Sequence, residues 1–283
     1  PALWPPLVDA VRQLKRDAGF REVHVISRHP KIGELAVDLV EAGTDLINLS
    51  VDSLRPEVHR EITGINDLPD VLTAVRQAVV SGAAVKVNTV VMAGVNDHEI
   101  EDLVRYFESI GVRELKLLDV IQDLDVGETF SGRLAKYRGR RLRDLYAPLE
   151  PIVERLQSQA LSEQIVSQGD LGHPMLAMHL RSGLMVTVKD HRAGAWYGSK
   201  CGGCRYFPCH DALMALRLTA DLRLQFCLLR EDVAVNLRTA LANGPQALRD
   251  AIDQAFDVYR GARFVQPSGV VQNVVQLQQW ANT

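Results

Sequence analysis

All four cysteines of the 283-residue chain lie in one short segment that runs from Cys201 to Cys227. The first three fall on a predicted loop that begins Cys-Gly-Gly-Cys, and the last falls in a predicted strand. A thiolate is a soft ligand, and four thiolates complete a structural zinc site or hold an iron–sulfur cluster. The two glycines permit the tight turn that aims neighbouring sulfurs at one centre. We therefore expect one metal ion or cluster bound by Cys201, Cys204, Cys209 and Cys227.

Other uses of these cysteines are open at this point. Four thiols can be buried structural residues or can pair as disulfides. No secretory signal is visible, and a CxxC spacing in such a chain favours metal or redox chemistry over disulfides. His210 follows Cys209 directly and is an alternative ligand to it. The residues alone do not decide between zinc and an iron–sulfur cluster.

The composition is typical of a globular protein, with 47% apolar and 24% charged residues. The net charge of −3 argues against nucleic acid as a partner, and no apolar run approaches the roughly 20 residues that span a bilayer. The first residues resemble neither a signal peptide nor a transit peptide. We therefore expect a cytoplasmic protein with no membrane partner. The chain also starts without methionine at the edge of a helix, which predicts that upstream residues are missing.

The elements that must position the cysteines follow from hydrophobic periodicity. Up to residue 120, helical periods alternate with short strands rich in β-branched residues, most clearly at 84–91. This alternation predicts βα units around a parallel sheet, either open or closed into a barrel. Beyond residue 160 the predicted strands are shorter and are separated by glycine and proline. We therefore expect an α/β domain over 1–160 and a smaller α+β domain, which carries the cysteines, over 161–283.

Three segments resemble the radical S-adenosylmethionine (radical SAM) superfamily. Residues 48–54, Asn-Leu-Ser-Val-Asp-Ser-Leu, are similar to a strand segment of that superfamily. Residues 85–97 and 216–229 are similar to segments of its GTP 3′,8-cyclase family, which acts in molybdenum-cofactor synthesis. The resemblance implies a partial (β/α)6 barrel of the TIM type, a [4Fe-4S] cluster on a CxxxCxxC loop, and SAM bound at that cluster. This chain has no CxxxCxxC loop, so we expect the first barrel units and that second cluster on the missing upstream residues. The alternative is a degenerate member that makes no radicals.

The resemblance also implies roles for single residues. It places Ser27, Ser50 and Leu118 at the SAM site, and Asn88 lies at a strand end that faces the same mouth of the barrel. Polar capping of the strand ends is the alternative for Ser50 and Asn88. The resemblance makes Lys86 a contact to the substrate, at the position of a phosphate contact in the cyclases, and an exposed strand lysine is the alternative. The resemblance makes Arg217 a second substrate contact, as the one arginine kept from a pair that reads GTP.

The cysteine segment departs from the cyclase pattern. The cyclases have three cysteine ligands and leave one iron open for the guanine, whereas Cys209 offers a fourth thiol here. Ala215 stands where the cyclases have the other arginine of their pair. The cyclases' glycine-rich C-terminal tail also has no counterpart. These differences predict a closed auxiliary [4Fe-4S] cluster suited to electron transfer, and a substrate other than GTP.

Three functions compete on this reading. The first is a radical SAM enzyme that acts on a small molecule and receives electrons from a donor such as flavodoxin or ferredoxin. The second is a radical SAM enzyme that modifies a peptide, since such enzymes often carry closed auxiliary clusters. The third is a zinc-stabilised, non-catalytic binding protein.

Overall fold

A computed structural model describes residues 1–126, 137, 139–167, 173–211, 215–259 and 261–265. Two compact units make up the chain. Unit 1 comprises Pro1–Asp119, Ala147–Gln164 and Ala177–Val188. Unit 2 comprises Val120–Tyr146, Ile165–Leu176 and Lys189–Thr283. The domain boundary near residue 160 stays a prediction, and residues 266–283 of the predicted second domain lie outside the described residues.

Unit 1 is built on a seven-stranded sheet with the strand order β1-β2-β3-β4-β7-β6-β5. Its strands are β1 (His24–Ser27), β2 (Leu46–Ser50), β3 (Val85–Val90), β4 (Glu114–Leu118), β5 (Ala160–Val166), β6 (Met175–Leu180) and β7 (Met185–Lys189). The first four strands are parallel, and each pairs with the next one along the chain. The predicted α/β fold with a parallel sheet is confirmed. Its description as a partial (β/α)6 barrel stays a prediction.

The helices of unit 1 are α1 (Leu7–Arg12, continued by a π-helical turn at Gln13–Asp17), α2 (Lys31–Glu34), α3 (Ala36–Ala42), α4 (Pro56–Thr63), α5 (Leu68–Val80), α6 (Ile100–Ser109) and α7 (Glu150–Gln157). Helices α2 to α6 connect these parallel strands, as crossover connections require, whereas α1 precedes β1 and α7 follows β4. The helix α4 was not predicted as an element. Helices α2 and α5 pack closely at Gly33, where an added Cβ would lie 2.7 Å from the Ala74 Cα.

Side chains alternate between the two faces of each strand, and this alternation separates the core of unit 1 from a polar face. Leu49, Val87 and Leu115 align across β2, β3 and β4 and are fully buried. They belong to the apolar face of the sheet. The intervening positions carry mostly polar side chains, which are described with the functional site.

Unit 2 contains all four cysteines and is assembled from short elements. Its strands are β8 (Ala195–Tyr197), β9 (Arg217–Leu218), β10 (Arg223–Gln225), β11 (Val235–Asn236) and β12 (Arg263–Val265). Its helices are α8 (Leu237–Ala242) and α9 (Pro245–Phe256), with 3-10 turns at Leu124–Val126, Leu142–Leu145, His191–Ala193, Ser199–Cys201 and Asp257–Tyr259. The strand β10 pairs antiparallel with β9 and β11, and β8 pairs antiparallel with β12.

None of the helices within the described ranges is long and apolar enough to cross a membrane.

Candidate functional site

One face of the parallel sheet in unit 1 is polar at the carboxyl ends of its strands. Ser50 of β2 aligns with Asn88 of β3, which aligns with Lys116 of β4. Asn48 and Lys86 form a second aligned pair two residues earlier on the same face. We call these five residues the polar sheet face. Ligands of parallel α/β folds bind at the carboxyl ends of the strands, so this face is a candidate site.

Two amide oxygens of the polar sheet face have no hydrogen-bond partner among the described residues. The Asn48 Oδ1 and Asn88 Oδ1 atoms are buried and accept no hydrogen bond from the described residues. A buried polar atom without a partner costs free energy, so such atoms are rare in folded proteins. A donor group on a bound ligand would satisfy both oxygens. Asn48 was not predicted as a site residue, although it lies two positions before Ser50 on the same strand.

Lys86 is already paired within the sheet. Its Nζ lies 2.5 Å from the Glu114 Oε1, and the side chains of both residues are only 12% exposed. The pair aligns directly across β3 and β4. The carboxylate therefore offsets the positive charge that a substrate phosphate would need.

A short network fixes the loops that leave β2 and β3. The Val90 N–H donates to the Asp52 Oδ1 at 2.8 Å, and the Asn96 Nδ2 donates to the carbonyls of Asp52 and Val90 at 2.6 and 2.9 Å. The Met92 N–H donates to the Asn96 Oδ1 at 2.7 Å. Burial raises the pKa of Asp52, while the Val90 hydrogen bond opposes that shift. The loop ends are thus held in one arrangement beside the polar sheet face.

The other two residues assigned to SAM lie differently. Leu118 ends β4, pairs with Val90, and lies on the polar side of the sheet where it is half-buried. Ser27 aligns with Leu49 on the apolar side, is 6% exposed, and accepts a hydrogen bond from the His29 N–H at 3.1 Å. The structure therefore brings Ser50, Asn88 and Leu118 to one face and leaves Ser27 on the other. Their assignment to SAM stays a prediction.

All four cysteines line one cavity in unit 2, which we call the cysteine cavity. The 3-10 turn Ser199–Cys201 leads into the loop, where the Cys204 N–H donates to the Cys201 carbonyl at 3.1 Å. Gly203 has φ of +79°, a conformation that side-chain-bearing residues rarely adopt. This turn brings the sulfurs of Cys201 and Cys204 to the same wall of the cysteine cavity. Cys227 follows β10 and reaches the cavity from the other segment.

None of the four thiols of the cysteine cavity forms a disulfide, and all four are partly buried. Burial raises the pKa of Cys227 to about 11, although the Leu229 N–H donates to its sulfur at 3.3 Å. Burial also raises the pKa of Cys201, and the neighbouring Cys204 adds to that shift. Thiolates in such a site need a nearby cation to offset their charge, which a metal centre supplies. The described residues include no three cysteine sulfurs within 4.8 Å of one another.

A buried carboxylate links the two cysteine-bearing segments. Asp211 is fully buried, and its Oδ2 accepts a hydrogen bond from the Leu228 N–H at 2.6 Å. Arg217 lies 3.5 Å from the Asp211 Oδ1 and donates to the Phe226 carbonyl at 3.2 Å. Burial raises the pKa of Asp211, and Arg217 opposes that shift. Asp211 was not predicted as a site residue. Arg217 is paired with the Asp211 carboxylate and with the Phe226 carbonyl.

His210 does not join the cysteines that line the cavity. Its ring stacks on His191 with 3.5 Å between centroids and 24° between planes. Its Nδ1 lies 3.4 Å from the Gln122 N–H. Cys209 itself is on the cavity wall, and its carbonyl accepts a 2.6 Å hydrogen bond from the Tyr197 hydroxyl.

Comparison with known proteins identifies the family. Residues 1–107 match the family model described as the radical SAM superfamily. A probable GTP 3′,8-cyclase of Thermococcus kodakarensis is 30% identical over 250 residues, which cover 86% of this chain and 71% of the relative. This chain belongs to the radical SAM superfamily. A probable GTP 3′,8-cyclase of Pyrococcus horikoshii is 30% identical over 245 residues, and the GTP 3′,8-cyclase of Hydrogenovibrio crunogenus is 29% identical over 254 residues. These cover 86% and 87% of this chain, and 70% and 67% of the respective relatives.

Membership makes the protein an enzyme of the radical SAM class, and the superfamily implies a [4Fe-4S] cluster and SAM as cofactors. The predicted resemblance to the radical SAM superfamily is thereby confirmed. The matched residues 1–107 include β1, β2 and β3 and hence most of the polar sheet face. The cysteine cavity lies beyond residues 1–107, which the family model matches.

Proposed function

We propose that this radical SAM enzyme abstracts hydrogen from a small-molecule substrate other than GTP and carries an auxiliary [4Fe-4S] cluster in the cysteine cavity. The observation that carries the proposal is the convergence of all four cysteines on one cavity. Four thiolates occupy every cysteine position of such a cluster and leave no iron open for a substrate atom. The auxiliary site then serves electron transfer, with a one-electron donor such as flavodoxin or ferredoxin as the external partner.

The donor set fits a cluster better than a zinc ion. Zinc bonds to sulfur at about 2.3 Å, so the sulfurs of one tetrahedral site lie roughly 3.8 Å apart. Within the part of the chain that is described, no three cysteine sulfurs approach within 4.8 Å of each other. A four-iron cluster is larger than one ion and holds its cysteine sulfurs further apart. The spacing of these thiols therefore favours the cluster.

We assign SAM binding to the polar sheet face. In this superfamily, reductive cleavage of SAM supplies the radical that removes a hydrogen atom from the substrate. The buried oxygens of Asn48 and Asn88 are acceptors for ligand donors such as an ammonium or an amine. Ser50 offers a hydroxyl on the same face, and Leu118 offers an apolar contact at the end of β4. The network around Asn96 keeps these strand ends in place before the ligand arrives.

The partners of two cations support a substrate unlike GTP. Lys86 is neutralised by Glu114, and Arg217 is bound to Asp211 and to a backbone carbonyl. A nucleoside triphosphate needs several unpaired cations or a metal ion at its phosphates. Both residues that the resemblance makes substrate contacts are thus already paired with groups of the protein. A less anionic small molecule is the substrate class that this pairing favours.

The test uses the full-length gene product purified without oxygen. We expect iron and sulfide in the ratio of a [4Fe-4S] cluster, and 5′-deoxyadenosine when SAM and dithionite are added. Replacing Cys201, Cys204, Cys209 or Cys227 singly by alanine should lower iron by about one cluster, whereas Ser199→Ala in the same loop should not. Unchanged iron in Cys209→Ala would indicate a three-cysteine site with an open iron. Zinc in place of iron, with no 5′-deoxyadenosine, would refute the proposal in favour of a zinc-stabilised binding protein.

A further inference from the structure

We propose that Arg230 is a positioning residue that raises the reduction potential of the auxiliary cluster by placing its guanidinium against the thiolates of the cysteine cavity. The inference rests on the proposed function, because it assumes that the four cysteines hold a cluster. It concerns a residue outside the ligand set and outside the polar sheet face.

Arg230, like Asp211, connects the two cysteine-bearing segments, and it does so at the cavity wall. It lies three positions after Cys227 and lines the same cavity as the four cysteines. Its Nη1 donates to the carbonyl of Lys200, the residue immediately before Cys201, at 3.1 Å. One side chain thus reaches from the Cys227 segment to the backbone at the start of the Cys201–Cys204 turn.

An acidic partner fixes the orientation of this guanidinium. The Arg230 Nε donates to the Asp232 Oδ1 at 2.9 Å and the Nη2 donates to the Oδ2 at 2.5 Å. This two-pronged pairing locks a planar guanidinium more firmly than a single contact does. The Asp232 side chain is 59% exposed, compared with 25% for Arg230. The carboxylate is therefore screened by water, while the cation lies nearer the buried sulfurs.

The effect on the cluster follows from charge. Four thiolates around a [4Fe-4S] core give a net negative charge, and one added electron makes that charge more negative. A fixed cation at the cavity wall stabilises the reduced form more than the oxidised form. The charge around a cluster is a known determinant of its reduction potential. Replacing the cation by a neutral side chain should therefore make the cluster harder to reduce.

Arg205 provides a matched control. It belongs to the same cysteine loop, and its guanidinium contacts the Tyr206 ring and hydroxyl. It is not among the residues that line the cysteine cavity. Arg205→Gln and Arg230→Gln therefore remove the same formal charge from the same unit, but only one removes it from the cavity wall.

The experiment is a potentiometric titration of the full-length protein with dithionite, followed by electron paramagnetic resonance. The signal of this site is the one that Cys227→Ala abolishes. At a fixed potential, Arg230→Gln should lower the ratio of reduced to oxidised cluster at least tenfold, which is about 59 mV for a one-electron couple. Arg230→Lys should retain most of the ratio because it keeps the charge. Asp232→Asn should raise the ratio because it removes the opposing charge while the amide oxygen still accepts a hydrogen bond from the guanidinium.

The outcomes separate this inference from the proposed function. Wild-type iron and sulfide content together with an unchanged ratio in Arg230→Gln would overturn the role of Arg230 and leave the cluster assignment intact. If Arg230→Gln fails to load iron, Asp232→Asn decides, and a ratio that does not rise overturns the inference. A shift in Arg205→Gln as large as that in Arg230→Gln also overturns it. Absence of iron from the wild-type protein overturns both proposals.

Discussion

Asp211 gives the most local test of how the cysteine-bearing segments are held together. It lies two residues after Cys209, and its carboxylate accepts the N–H of Leu228, the residue that follows Cys227, at 2.6 Å. The side chain is fully buried, so water cannot replace this acceptor without local opening. Replacing Asp211 by alanine should therefore loosen the Cys227 segment more than the rest of unit 2.

The size of the effect follows from the type of bond. A hydrogen bond to a charged group contributes roughly 1.5–3 kcal/mol, so its loss should speed exchange of the Leu228 amide hydrogen by about 10- to 150-fold. Arg217 would also lose its carboxylate partner, but its side chain is 27% exposed and can turn to water. Asp211→Asn keeps an acceptor and removes only the charge, so its effect should be smaller.

Hydrogen–deuterium exchange with mass spectrometry measures this directly in a peptide that contains Leu228. Local exchange is preferable to a single melting temperature, since a chain with two units need not unfold in two states. Asp253→Ala is the control because Asp253 is exposed on helix α9. If exchange at Leu228 in Asp211→Ala stays within about threefold of the wild-type rate, the carboxylate does not brace this segment and the reasoning is refuted.

Three further predictions concern unit 1. Gly33→Ala places a methyl group 2.7 Å from the Ala74 Cα and should cost about 1–3 kcal/mol in local stability, measured by amide hydrogen exchange in helices α2 and α5. Asn96→Ala leaves three backbone groups at the strand ends without their partner and should cost about 2–4 kcal/mol, with weaker SAM binding as a second readout. Hydrogen bonding from Lys15 lowers the pKa of Asp45 below its ordinary value of 3.8. The ionised Asp45 side chain therefore stabilises the folded state above pH 3.8, and this stabilisation is lost as the pH falls below that value. Asp45→Asn should lower the free energy of unfolding by no more than about 1 kcal/mol at pH 7 and by less near pH 3. Equal losses at both pH values would count against the ion pair.

The sequence allowed the alternation of helices and parallel strands to be predicted because each element has a local signal. The strand Val85–Val90, for example, alternates buried and half-buried residues along its whole length. Helix α4 (Pro56–Thr63) was missed because it has only one buried residue, His59, and no apolar stripe. Its proline at the first helical position was the available signal. The unit 2 strands β8 and β12 are three residues each and pair across more than 60 intervening residues, so no local sequence pattern predicts them.

The candidate site was predictable only as far as sequence neighbours define it. The cysteines stand close together in the chain, but Asp211 acts on Leu228 across 17 residues, and that contact depends on how the loop folds. Motif position also does not specify which way a side chain points. Ser27 ends its strand as Ser50 does, yet the register aligns Ser27 with the buried Leu49 and therefore places it on the apolar side. A residue carried over from a motif is thus a stronger site candidate when its place in the alternation agrees. Ser50 and Asn88 meet that condition, whereas Ser27 does not and its assignment to SAM stays a prediction.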